Sequence, residues 1–196
     1  AAGKNVGIWV WVRWSDVNNP ANDWENMRRF FSSLSKTGIR GIKIDFMDSA
    51  SQERLDFYDA VAENLAKNKL MVNFHGANTP TGEERSWPHE MSREGIYGGE
   101  QNIWAAIGGQ HYCALPFTRL VSGHADFTGG YFGHGPKLRG SSWTLQMAAN
   151  IIYTSPILHW VSNPADMEAA FPKDSPEREV VRNIPSVWEE TIVLPP

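Results

Sequence analysis

The sequence predicts an α/β protein of the (β/α)8 barrel class, and three observations point there. Strand-like and helix-like segments alternate over residues 6–75, which implies parallel strands joined by helical crossovers. No glycine-rich phosphate loop follows the first strand, which counts against a dinucleotide-binding sheet. Successive strands also end in polar residues on one face, as barrel enzymes do where strand ends build the mouth.

VGIWVWVRW alternates, with Ile8, Val10 and Val12 on one face and Trp9, Trp11 and Arg13 on the other, the pattern of a strand. ANDWENMRRFFSSLSKTG places Trp24, Met27, Phe31 and Leu34 near a 3.6-residue period, and Gly38 suits the end of that helix. IRGIKIDF is the second strand. The helix after it has an apolar stripe of Leu55, Tyr58, Val61, Ala62 and Leu65, with Ser49-x-x-Gln52 as a capping box. LMVNFH is the third strand. Residues 77–92, with Pro80, Gly82 and Pro88, read as a long loop over the site. Short strands are expected over residues 97–102 and 120–127, a helix over 142–153, and a closing segment over 177–196. A complete eight-stranded barrel takes about 250 residues, against about six candidate strands here. The chain also begins almost on a strand, so an incomplete barrel lacking its first strands is expected.

Composition narrows the function. A net charge of −4 and a pI near 5.9 offer no basic face, so nucleic acid is not an expected partner. No apolar run of 18 residues predicts a membrane-spanning helix. The single Cys113 can form neither an internal disulfide nor a cysteine zinc cluster. Nine tryptophans suit a carbohydrate partner, because flat aromatic faces match the apolar faces of sugar rings. Nothing in the sequence sets the oligomeric state.

In IKIDFMD, Ile42, Ile44 and Phe46 share one strand face and Gly41, Lys43 and Asp45 the other. Two opposite charges therefore point into one interior, which is expensive unless they are paired or used. The same alternation turns Leu70, Val72 and Phe74 toward the helices and Met71, Asn73 and His75 inward. Lys43, Asp45, Asn73 and His75 then converge on one mouth, with a structural Lys–Asp pair and a core histidine as the plainer alternatives. SREGIYGGEQN adds Glu94 and Glu100. Fully extended, that six-residue separation is about 20 Å, too long for one small site, but Gly95, Gly98 and Gly99 allow the chain to bend. Glu100, expected at a strand end, is the better candidate acid. Opposed to Asp45, it would complete the carboxyl pair of a glycosidase.

The runs GIKIDFMDSASQERLDFYDAVAENLAKNKLMVNFHGANTPTG, SREGIYGGEQN and PFTRLVSGHADFTGG resemble glycoside hydrolase family 97, the calcium-dependent α-glucosidases and α-galactosidases. The resemblance implies a β-sandwich, a central (β/α)8 barrel and a C-terminal β domain. Residues 1–196 would be the barrel from its third strand onward, with the flanking domains absent. Retaining members carry an aspartate after the Lys-x-Asp strand and a glycine after the next strand's histidine; inverting members place a glutamate base there. Asp45 and Gly76 match the retaining branch, which is associated with α-galactosidase activity. By the same resemblance, Asp45 is the nucleophile, Glu100 the general acid, and Lys43, Asn73 and His75 the substrate contacts. Glu94 and Glu100 match two calcium ligands, and carboxylates suit calcium's preference for oxygen. Other family ligands come from outside these residues or from the position of Gly76. Arg119 and Asp126 match the family's PFTR…D motif, with a structural ion pair as the alternative. A periplasmic or secreted location is implied by the resemblance alone.

The expected partner is thus an oligosaccharide or other α-galactoside, cleaved with retention by double displacement. Three rivals stand beside that reading. One is an α-glucosidase of the same family, and another a catalytically incomplete carbohydrate-binding fragment. The third is an unrelated barrel hydrolase with His75 and Asp45 on a metal, which the lack of a His-x-His spacing disfavours.

Overall fold

Four short parallel strands form the sheet: β1 (Trp9–Arg13), β2 (Gly41–Asp45), β3 (Met71–Phe74) and β4 (Glu90–Arg93). They pair in the order β1-β2-β3-β4, so each strand neighbours the next in sequence. The crossovers carry the helices that parallel pairing requires. These are α1 (Trp14–Val17) and α2 (Ala21–Ser35), then α3 (Gln52–Lys67), then the short α4 (Glu83–Ser86). The computed structural model describes residues 2–130, 132, 138–190 and 192, in two units, Ala1–Gly95 and Ile96–Pro196.

The first unit holds the sheet. Ile42, Ile44, Val72 and Phe74 on its helix-covered face are all 0% exposed. They pack with Met27 and Phe31 of α2 and with Phe57, Tyr58, Val61 and Leu65 of α3. The face assignments read from β2 and β3 therefore hold, and non-directional burial of these side chains fixes the strands' register against the helices.

Four local expectations are corrected. The backbone of α2 is left-handed at Asn22, Asp23 and Trp24, so regular helix starts after them, although Trp24 still packs on the core. Ser51 rather than Ser49 is the N-cap of α3, and the Ser49 hydroxyl accepts a bond from the Ser51 N–H at 3.1 Å instead of forming a capping box. Phe46 does not continue the apolar face of β2: its φ of 64° ends the strand and leaves the ring half exposed. Residues 77–92, read as loop, contain α4 and most of β4.

The second unit carries short helices and turns. After a 3-10 turn at Gly99–Ile103 come α5 (Gly109–Ala114), further 3-10 turns at Leu115–Phe117 and Arg119–Ser122, α6 (Trp143–Ile152), α7 (Pro164–Ala170) and α8 (Pro176–Asn183). Its core gathers Ile107, Tyr112, Leu115, Phe127, Ala149 and Tyr153. Ser142 caps α6 by accepting the Leu145 N–H at 3.1 Å, in line with the helix expected there. The strands expected over residues 97–102 and 120–127 are 3-10 turns and irregular chain instead. Of the closing segment over 177–196, residues 184–190 and 192 are irregular, and 191 and 193–196 lie outside the described residues.

Candidate active site

Asp45 is the last residue of β2, and its carboxylate is held from three sides within the first unit. The Trp11 indole Nε1 donates to Oδ2 at 2.9 Å, and the Phe46 N–H donates to Oδ1 at 2.6 Å. His75 Nδ1 lies 3.3 Å from Oδ1. Parallel pairing explains the first contact: Trp11 is in register with Lys43, and Arg13 with Asp45, so Trp11 lies one strand over on Asp45's own face. The left-handed turn at Phe46 explains the second, since it swings that N–H back over the carboxylate. Burial pushes the Asp45 carboxyl up, but the bonds from His75 and Trp11, the charge of His75 and the Phe46 N–H outweigh it. The net effect holds Asp45 below the ordinary carboxylate value, so it is an anion at neutral pH.

His75 follows β3 directly, anchored by its own N–H to the Ile44 carbonyl at 2.8 Å. Its buried ring lies between two carboxylates, with Nε2 3.4 Å from Glu94 Oε1. Glu94 follows β4, its N–H bonded to the Phe74 carbonyl at 2.8 Å, and its Oε2 accepts the Gly76 N–H at 2.5 Å. Gly76 in turn accepts from the Asp48 N–H at 2.7 Å. This glycine is required: its φ is +57°, and a Cβ there would meet Asp48 Oδ1 at 2.8 Å and the Phe46 Cα at 3.2 Å.

Lys43 and Asn73 are register partners on β2 and β3, on the same face as Asp45. Asn73 is fully buried, and its amide braces β4 through the Ser92 hydroxyl and carbonyl at 3.3 and 3.4 Å. Its Oδ1 accepts no bond among the described residues. The first unit thus assembles Lys43, Asp45, Asn73, His75 and Glu94 at the carboxyl ends of neighbouring strands. Glu100 belongs to the second unit and lies on the 3-10 turn Gly99–Ile103 rather than at a strand end. Gly98 and Gly99 serve there for close backbone approach, because a Cβ on either would meet the Phe127 or Thr128 carbonyl oxygen at 2.6 Å. In the same unit Arg119 donates to the carbonyls of Gly123 and His124 at 3.0 and 2.9 Å, and Asp126 lies 2.9 Å from His159 Nδ1. Both brace loops.

Sequence reasoning missed Trp11 as a donor to Asp45, although counting parallel register from its face assignment would have found it. It also missed the Glu90–Arg93 pair under the site. Arg93 Nε lies 2.5 Å from Glu90 Oε1, its guanidinium stacks 4.1 Å from the Tyr58 ring centroid, and its Nη1 donates to Asn78 Oδ1 at 3.0 Å.

Fold and site together define a parallel α/β protein that gathers acidic and basic side chains at its strand ends, the layout of barrel enzymes. The chain belongs to glycoside hydrolase family 97, whose family model matches residues 1–96. A probable retaining α-galactosidase of Streptomyces bingchenggensis is 34% identical over 99% of this chain, and a retaining α-galactosidase of Bacteroides thetaiotaomicron 30% identical over 99%. The chain spans 29% and 30% of those two relatives' lengths. A β-arabinopyranosidase crystal structure has a TM-score of 0.79 at 24% identity, covering 96% of this chain and 33% of that one. A family 97 enzyme from Pseudoalteromonas sp. in complex with panose has a TM-score of 0.81 at 21% identity, covering 96% and 32%. These structures share the fold.

Proposed function

We propose that the chain is part of the catalytic (β/α)8 barrel of a retaining α-galactosidase. The observation that carries the reading is the Asp45 carboxylate, partly buried at a strand end yet held ionised by three donors. A nucleophile needs that state. Asp45 attacks the anomeric carbon while Glu100 protonates the departing oxygen; Glu100 then draws a proton from the water that hydrolyses the glycosyl-enzyme. Lys43 and His75 hold sugar hydroxyls, with the Asn73 carbonyl behind them. Gly76 supports retention, because an inverting base at that position would strain the backbone and crowd Asp48 and Phe46. The names of the two curated relatives agree.

Calcium, which the family implies, takes several hard oxygen ligands. The buried Glu94 fits by the chemistry of its donors, since a carboxylate offers the hard oxygen atoms that calcium takes. Glu94 and Glu100 are the residues proposed to hold it, and bound calcium would supply fixed positive charge beside the sugar. Titrating calcium chloride should give saturable heat that Glu94→Gln removes; equal heat from the variant would exclude Glu94.

The function is tested with Asp45→Gly. It should abolish ordinary turnover of an aryl α-galactoside, and added azide should yield the β-galactosyl azide, because one displacement inverts where two retain. Near-normal hydrolysis with retained configuration would make Asp45 a structural partner only. An α-glucoside hydrolysed faster than the α-galactoside by the unaltered protein would favour the α-glucosidase reading.

A further inference from the structure

Two aromatic side chains beside Asp45, Trp11 and Phe46, take no part in the core cluster of the first unit. Trp11 and Phe46 are 49% and 48% exposed, and their rings meet edge to face with centroids 5.9 Å apart and planes at 89°. Arg13 extends the group, its guanidinium carbon 5.5 Å from the Phe46 ring centroid. Neither ring is placed by the core: the residues two and four before Phe46, Ile44 and Ile42, are fully buried, and Phe46 leaves their face through a φ of 64°. A bulky residue seldom adopts that backbone, and such strain persists where the surroundings impose it, often at functional sites. Both residues also touch the carboxylate itself, Trp11 through its indole N–H and Phe46 through its backbone N–H.

We propose that Trp11 and Phe46 form an aromatic platform that packs against the pyranose ring transferred to Asp45, with Arg13 reaching its hydroxyl rim. This inference rests on Asp45 being the nucleophile. A pyranose presents apolar C–H surface edged by hydroxyls, and an exposed aromatic pair flanked by a guanidinium offers the complement. Geometry decides which sugar it meets. In a displacement the leaving group departs on the side opposite the attacking carboxylate, so groups touching Asp45 meet the transferred ring and not the aglycone.

The variant that isolates the ring is Phe46→Gly, because glycine keeps the N–H that holds Asp45 and accepts the positive φ. Its melting temperature should equal or exceed that of the unaltered protein. KM should rise on the order of 3–10-fold, the loss of one aromatic contact, and by the same factor for an aryl α-galactoside and an α-galactosyl disaccharide. Trp11→Phe, which keeps a ring but removes the indole donor, should lower kcat more than it raises KM. Unchanged KM for Phe46→Gly with a lowered melting temperature would overturn the platform and make the patch a packing surface. A rise confined to one aglycone would place the ring against the leaving group and overturn it as well. If Asp45→Gly stays active, the function itself fails; if Asp45 is essential and Phe46→Gly binds normally, only the platform fails.

Discussion

At the scale of single residues, Asp45 shows how environment decides chemistry. Burial alone would favour its neutral acid, which cannot attack an anomeric carbon. Trp11, His75 and the Phe46 N–H reverse that preference. A carboxyl held in the fold below its ordinary value of 3.8 stabilises the fold above that pH, and the contribution is lost as pH falls through the lowered value. Urea unfolding of the unaltered protein and of Asp45→Asn at neutral pH should therefore differ by roughly 1–3 kcal/mol, for a partly buried, charge-assisted network. Below about pH 4 the difference should shrink. A gap that widens on acidification would mean that burial, and not the donors, dominates at Asp45. The two inward charges of IKIDFMD were legible in the sequence because alternation alone puts Lys43 and Asp45 on one face. The donors were not, because a contact 34 residues away in sequence depends on parallel register and on one backbone angle at Phe46.

At the scale of elements, β4 explains why part of the sheet escaped the sequence. Hydrophobic alternation finds β2 and β3 through Ile42, Ile44, Val72 and Phe74, but EMSR offers only Met91 as an apolar residue. Its register shifts between Val72 and Asn73: Val72 pairs with Glu90 and Asn73 with Ser92, so a bulge lets Glu90 and Arg93 both pair along the buried face. There they neutralise each other. Burial pushes the Glu90 carboxyl up against the pull of Arg93. For Arg93 burial works against the charge, but the bonds and charge of Glu90 outweigh it and raise the guanidinium further. We take the pair as ionised at neutral pH, since a guanidinium does not give up its proton and both its contacts to Glu90 are bonded. Removing one partner strands a buried charge. Glu90→Gln and Arg93→Met should each cost about 3–5 kcal/mol in urea unfolding, and the double variant much less than their sum. Additive losses would show that the two side chains act separately. Because Glu94 follows Arg93 directly, this pair also sets where the Glu94 carboxylate emerges.

At the scale of the whole molecule, the two units differ in how much of them a sequence can announce. The first is built from regular alternation and helical stripes, and its parallel order was foreseeable from strand and helix succession. The second is short helices and 3-10 turns, whose apolar residues follow no sustained period, so residues 97–102 and 120–127 read as strands and are not. Their stability should differ for the same reason. The first core combines strand centres paired on both sides with side chains at 0% exposure, as at Ile42, Ile44, Val72 and Phe74. Among the described residues, the second gathers fewer large apolar side chains in its core. Amide exchange reports the opening free energy of each segment, which reaches the global value only where the backbone bonds break in complete unfolding. Exchange in the native protein should therefore be slowest for the amides of β2 and β3. It should be faster for α6, whose residues Ile151 and Ile152 are exposed at its end, and fastest for α8, which buries no residue. Mass spectrometry of exchanged peptides would resolve that order. If the α6 amides outlasted those of β2, the more durable core would be the second unit's, and the sheet that carries Asp45 would be the part that opens first.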